Sequence, residues 1–226
     1  MTIKYVIVVA GGKGLRMGTD IPKQFLLLNG KPVLMHTLEA FQDYDSQIRL
    51  ILVLPGEQQN YWRELCKQYH FQLEHQIVSG GETRFHSVQN GLKFVTESDW
   101  VAVHDGVRPL AGKSLIAGVF DMAEKEKAAY PAIPVVDTLR EKSEDGAYRV
   151  VDRSHYFLVQ TPQVFASEVL LSAYQTEYSE TFTDDVSVVE ASGLCCPKMI
   201  EGKRENIKIT TPVDLLIAEA LLKNGY

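Results

Sequence analysis

Cysteine is scarce. The 226 residues contain only Cys66, Cys195 and Cys196. An odd count, two adjacent thiols and no CxxC pair argue against a disulfide framework and a zinc site. The three are expected to be reduced and packed as small apolar side chains. Long apolar runs are missing too. None approaches the ~20 residues of a membrane span. The N-terminus has no basic leader followed by an apolar core and a small-residue cleavage site. A cytoplasmic location is therefore expected, with no membrane partner. Positive charge is in deficit: 23 Lys and Arg against 29 Asp and Glu give a net charge of −6, which speaks against a broad nucleic-acid footprint. Any nucleotide bound here must be small and met by a local basic pocket. Internal repeats and low-complexity linkers are also absent.

What is present is a regular alternation of strand and helix. Apolar residues make up 45% of the chain, enough for a real core. Residues 4–10, 48–54, 76–79 and 100–104 read as strands, and 32–43, 57–70 and 83–95 as helices. This order predicts an α/β fold, a Rossmann-like, mostly parallel twisted sheet with helices on both faces. The pattern changes near residue 129. Tyr130 to Val136 reads as a strand at an edge or bend, because Pro131 and Pro134 interrupt it. The charged stretch from Leu139 to Arg149, with Glu144-Asp145-Gly146 at its middle, predicts a projecting β-hairpin. Its exposed edges call for a cover, and a second subunit would supply one. Helices near 166–178 and 184–192, a strand near 197–200 and a helix from about 212 complete a single domain over 1–226, with an arm at about 137–153. Pro212 suits the start of the last helix.

The sharpest chemical feature is Ala10-Gly11-Gly12-Lys13-Gly14-Leu15-Arg16-Met17-Gly18, running on to Pro22-Lys23-Gln24, just after the first strand. Glycines leave backbone N–H groups open to a polyanion. Arg16 and Lys23 add fixed positive charge, and Pro22 stiffens the chain before Lys23. The run is neither GxxxxGK[ST] nor GxGxxG. Without its basic residues it would serve equally as a tight packing turn. At the end of the strand at 100–104 comes His104-Asp105-Gly106-Val107-Arg108-Pro109, where open α/β sheets bind ligands. Asp105 can hold Mg2+ and Arg108 an anion, or the two can brace the turn. His104 reads as structural. Gly80-Gly81-Glu82-Thr83-Arg84-Phe85-His86-Ser87 follows another strand. Its glycines let a base or ribose lie flat, Ser87 can bond to either, and Thr83 also suits a helix cap. Thr161-Pro162-Gln163 reads as a loop. Thr183-Asp184-Asp185 reads as a helix cap, and Lys208 as a basic group on a late strand or at its surface. Thr138 and Arg153 would meet at the root of the arm, where a solvated role is the simpler reading.

These blocks in this order resemble the 2-C-methyl-D-erythritol 4-phosphate cytidylyltransferases of the nucleotidyltransferase superfamily, over nearly the whole chain. AGGKGLRMGTDIPKQF, GGETRFHSVQNGL, VHDGVRPL, VVDTL, VDR, QTPQVF, TDDVSVVEASG and NIKITTPVDL carry the likeness. It implies CTP and a polyol phosphate as substrates, release of pyrophosphate in isoprenoid precursor synthesis, a divalent cation (Mg2+) and a homodimer joined by the arm. It implies that Ala10, Gly11, Gly12 and Gly14 wrap the nucleotide, and that Arg16 and Lys23 are the catalytic pair. Gly81, Glu82 and Ser87 would read cytosine and ribose. Asp105 and Gly106 would lie at the reacting nucleotide, with Asp105 also the metal ligand. Asp105, Arg108, Thr138, Arg153 and Lys208 would hold the second substrate, Thr138 and Arg153 from across the dimer. Glu205 departs from the aspartate usual before Asn-Ile-Lys. Ribitol-5-phosphate cytidylyltransferase is the nearest alternative; Ser87 to Leu92 and Val151-Asp152-Arg153 fit it less well. A non-catalytic nucleotide-binding module would not need Arg16, Lys23, Asp105 and Arg108 together.

Overall fold

β-Branched and leucine-rich hexapeptides separated by amphipathic stretches set the architecture. The computed structural model describes residues 2–12, 21–96 and 99–225. Among them the chain runs β1 (Lys4–Val9), a 3-10 turn (Lys23–Phe25), β2 (Leu27–Leu28), β3 (Lys31–Pro32), α1 (Val33–Tyr44), β4 (Arg49–Leu54), α2 (Gly56–Gln68), β5 (Gln76–Ser79), α3 (Arg84–Leu92) and β6 (Trp100–Asp105). It continues through α4 (Lys113–Glu126), β7 (Ala128–Pro134), β8 (Arg140–Lys142), β9 (Tyr148–Val150), a 3-10 turn (Arg153–His155), β10 (Phe157–Val159), β11 (Gln163–Ala166), α5 (Ser167–Ala173), α6 (Asp185–Ser192), β12 (Lys198–Glu201) and α7 (Pro212–Lys223).

The main sheet has the order β10-β7-β11-β6-β1-β4-β5, with β12 added alongside β7. Among its described strands, only β10 and β11 run against the others. Side chains alternate across a strand, and the two cores divide accordingly. Val6 and Val8 of β1 pack with α1, α2 and α4, while Tyr5 and Ile7 pack with α3, α5 and α6. Both faces of β1 are buried, which explains its unbroken apolar run. α7 lies over a smaller cluster built on Leu28, Val33, Val107 and Ile209. Capping boxes start α6 at Asp184 and α7 at Thr211, with Pro212 in the first turn.

Several local expectations change. The strand at Tyr130–Val136 is β7, and it is internal: β12 pairs with it in parallel, and β10 and β11 pair with it antiparallel. The pairings Phe157↔Pro134 and Val164↔Ala129 make β10 and β11 one strand path interrupted at residues 160–162. Gln163, expected in a loop, therefore opens β11. Helices α3 and α5 are shorter than the sequence predicts. The sequence reading assigns no helix to 113–126, yet α4 buries Leu115, Ile116, Val119, Phe120 and Ala123 there.

β8 and β9 form the expected hairpin, wholly exposed, turning at Gly146 with φ +82. Tyr148, Val150, Val136, Phe157 and Leu158 leave a band of apolar surface along the arm and β10. The cysteines are free thiols, and among the described residues no helix is long and apolar enough to cross a membrane.

Candidate active site

The chain goes from β1 outward to β4 and β5, then returns to β6 on the other side of β1. That reversal opens a crevice at the carboxyl ends of the strands. A cleft of about 510 Å³ lies there, lined by Ala10, Gly11, Gly12 and Lys23, by the turn Gly80 to Arg84 with Ser87, and by Asp105 and Lys208. Gln24, fully buried beneath it, donates from Nε2 to the Ala10 carbonyl at 2.8 Å and to Gln58 Oε1 at 2.7 Å. It thereby ties the end of β1 to α2. Lys23 is 9% exposed and lies against Gly12.

Two glycines allow close approach. Gly106 N–H donates to the Val9 carbonyl at 2.9 Å, and a Cβ on Gly106 would sit 2.7 Å from Ala10 Cβ. A Cβ on Gly81 would sit 2.4 Å from that of His86. Ser87 Oγ accepts the Gly81 N–H at 3.1 Å, which leaves its own hydrogen to donate into the cleft.

Asp105 ends β6 inside a ring of cations. Its Oδ2 meets Lys208 Nζ at 3.0 Å and Arg108 Nε at 3.2 Å, and Arg84 Nε stands 3.9 Å from Oδ1. Burial alone would raise its pKa, but Lys208, Arg84 and Arg108 outweigh that and hold the carboxyl well below the usual carboxylate range. Beneath it, His104 is fully buried. Its Nε2 donates to the Arg108 carbonyl at 3.1 Å, so Nδ1 accepts from Thr161 Oγ1 at 3.0 Å. Burial brings its pKa down to about 4, so the ring is neutral, as its structural reading requires.

A second pocket of about 260 Å³ adjoins the cleft and includes Arg108, Gln160, Thr161, Thr183 and Asp184. Arg84, Asp105 and Lys208 line both spaces, so these three mark the junction. A larger groove, about 1080 Å³, lies at the other ends of β4 and β5 and contains none of the expected site residues.

The fold thus gathers Ala10, Gly11, Gly12, Lys23, Gly81, Glu82, Ser87, Asp105 and Lys208 around one cleft, with Gly106 behind it and Arg108 in the adjoining pocket. Gly14 and Arg16 lie outside the described residues. Thr138 and Arg153 line neither space. They sit exposed at the root of the arm, where Arg153 Nη1 donates to the Val136 carbonyl. The site reading of the sequence missed Gln24, Arg84, Thr161 and Gln163. Arg84 was visible as a cation beside the glycine turn; the others reveal themselves only through contacts between distant segments.

A glycine-rich run after the first strand, a cleft at the switch point lined by Gly11, Gly12 and the Gly80–Arg84 segment, and a cation-ringed aspartate are features of a nucleotidyltransferase. Comparison with known proteins agrees. Residues 4–224 match the family model of 2-C-methyl-D-erythritol 4-phosphate cytidylyltransferase. Proteins of that name from Azobacteroides pseudotrichonymphae and Bacteroides thetaiotaomicron are 58% and 57% identical, over 98% and 96% of this chain and 100% and 98% of theirs. The crystal structure of the protein of the same name from Thermus thermophilus superposes with a TM-score of 0.78 at 32% identity, covering 99% of this chain and all of that one. A 4-diphosphocytidyl-2C-methyl-D-erythritol synthase from Anaerococcus prevotii gives 0.82 at 28% identity, covering 98% of this chain and 99% of that one. The chain belongs to the 2-C-methyl-D-erythritol 4-phosphate cytidylyltransferase family.

Proposed function

We propose that this enzyme transfers CMP from CTP to 2-C-methyl-D-erythritol 4-phosphate in isoprenoid precursor synthesis. The junction of the two pockets at Arg84, Asp105 and Lys208 carries the reading, because two polyanions must meet there. CTP occupies the larger cleft, its base and ribose against Gly81, Glu82 and Ser87 and its phosphates over Gly11 to Gly14. The polyol phosphate occupies the smaller pocket. Its monoester is already largely dianionic at neutral pH, with a second pKa near ~6, so no general base is needed. A phosphate oxygen attacks the α-phosphorus, a new P–O–P bond forms, and the bond to the bridging oxygen of the departing pyrophosphate breaks in line. Lys23 and Arg16 stabilise the charge that gathers on the α-phosphate. Arg108 and Lys208 hold the incoming phosphate against its repulsion from the triphosphate.

A divalent cation fits this site only together with substrate. Among the described residues no cluster of three ligand-type side chains exists, and Asp105 stands among cations. Mg2+ commonly takes one carboxylate plus phosphate oxygens, and Asp105 Oδ1, the less engaged oxygen, is the donor that would serve. The bound ion would supply charge neutralisation at the phosphates. Two subunits pair through the arm, which is part of one nucleotidyltransferase domain. The apolar band at Tyr148, Val150 and Leu158 supports this, as does the fact that Thr138 and Arg153 line neither of their own subunit's two pockets. In that dimer they reach the partner's polyol phosphate.

The test is pyrophosphate release from CTP with Mg2+, comparing 2-C-methyl-D-erythritol 4-phosphate with ribitol 5-phosphate. Turnover with the first alone is expected. Turnover with the second alone would move the enzyme to polyol-phosphate activation. Silence with both, while CTP still binds, would make the chain a nucleotide-binding module.

A further inference from the structure

Among the described residues, Asp185 is the one fully buried carboxylate outside the reacting centre, and the transfer reaction gives it no direct part. Its surroundings are specific. Oδ2 accepts from Arg84 Nη2 at 2.6 Å, and Oδ1 accepts from the Tyr174 hydroxyl at 2.6 Å. Its backbone N–H donates to Gln163 Oε1 at 3.0 Å, while Gln163 Nε2 donates to Asp184 Oδ2 at 2.8 Å. Tyr174 is itself held, its ring stacked on Phe85 with centroids 4.7 Å apart. Burial, then the neighbouring Asp185, push its phenol well above its ordinary pKa, so it remains a donor. The residue is thus held through its backbone by β11, and its carboxylate by Tyr174 at the end of α5 and by Arg84 of α3.

All of this converges on Arg84, which opens α3 101 residues away from Asp185. Its guanidinium is clamped from behind by Asp185, while its Nε lies at 3.9 Å from Asp105 and its side chain lines both pockets. An arginine without the clamp would close on Asp105, the nearest other anion, and cancel charge needed at the junction. With the clamp, one edge of the fork is committed to Asp185 while the residue still lines both pockets.

We propose that Asp185, braced by Tyr174, is a positioning residue that holds Arg84 at the junction of the two pockets, and that Arg84 is a further phosphate-binding cation of the reacting centre. This rests on the transfer reaction proposed above. Because Arg84 meets charge where the two substrates join, its loss falls on turnover more than on the binding of CTP alone.

The experiment is a mutant cycle on the full-length enzyme with Arg84→Met, Asp185→Asn, their double variant and Tyr174→Phe. It records kcat, KM for both substrates, calorimetric CTP binding and the thermal midpoint. Arg84→Met is expected to lower kcat on the order of 100-fold, and Asp185→Asn by a factor of about 10 or more, with CTP affinity changed by less than about fivefold. The double variant should be no worse than Arg84→Met, because Asp185 acts through Arg84. Losses that multiply would overturn the positioning role, as would a folded Asp185→Asn enzyme with full kcat. If Asp185→Asn does not fold, Tyr174→Phe takes its place in the cycle under the same criteria. A wild-type enzyme inactive with both polyol phosphates would overturn the reaction and this role together. An active wild type with an unimpaired cycle overturns the role alone.

Discussion

Acid should weaken this protein through His104 before it touches the carboxylates. The ring is fully buried, stands edge-on to Phe41 at 4.9 Å, and has both nitrogens engaged in the neutral form. Arg108 and Lys208 oppose a charge on it, Asp105 favours one, and burial dominates, so the folded ring titrates at about 4. An unfolded histidine titrates near ~6.5. Between those values the unfolded chain binds the extra proton, so stability rises with pH in that window and is lost as pH falls through it. The interval corresponds to about 3 kcal/mol at ~1.4 kcal/mol per pKa unit, a large part of a typical domain's ~5–15 kcal/mol. Urea melts from pH 7.5 to 4.5, at fixed protein concentration, measure it. His104→Gln should lower stability at pH 7.5 by about 1–3 kcal/mol, since it gives up two buried hydrogen bonds. It should also flatten the decline between pH 6.5 and 4.5. Burial lowers His36 and His75 as well, so some slope persists in the variant. If wild type and His104→Gln decline in parallel across the window, the reasoning about His104 is refuted.

Other perturbations separate chemistry from folding. Lys23→Ala and Arg16→Ala should each cut turnover ~100- to 1,000-fold while thermal midpoints stay near wild type; near-normal rates in both would dismiss the catalytic pair. Gln24→Leu removes the donor to the buried Ala10 carbonyl, so urea melts should show a loss of about 1–3 kcal/mol and assays a raised KM for CTP. Unchanged stability would mean that Gln24 does not anchor β1 to α2. Replacing Tyr148 and Val150 on the arm by aspartate should yield monomers in sedimentation with little activity, whereas a fully active monomer would rule out a site completed by the partner.

Much of the architecture was readable because buried parallel strands and one-sided helices leave strong periods in the sequence. β1, β4, β5 and β6 fall at the expected positions, and the residues at their carboxyl ends become the cleft. What failed to show has physical causes. The prolines of β7 imitate an edge strand, yet backbone pairs with β10, β11 and β12 enclose it. α4 has helical spacing, from Leu115 to Ala123, but starts after Gly112 with φ +65 instead of a side-chain cap. Arg84 and Asp185 are distant in sequence, and each has an adequate local role at a helix start; only folding brings them together.

The strand path from β10 to β11, interrupted at residues 160–162, runs from the arm to the cleft. At one end it carries the apolar surface beside the arm. At its break, Thr161 Oγ1 accepts the Asp105 N–H at 3.1 Å and bonds to His104. The apolar surface beside the arm and the Asp105 carboxylate therefore share one short piece of backbone. In a comprehensive mutational survey, substitutions at the foot of the arm should score like active-site lesions, even where the oligomeric state is unchanged.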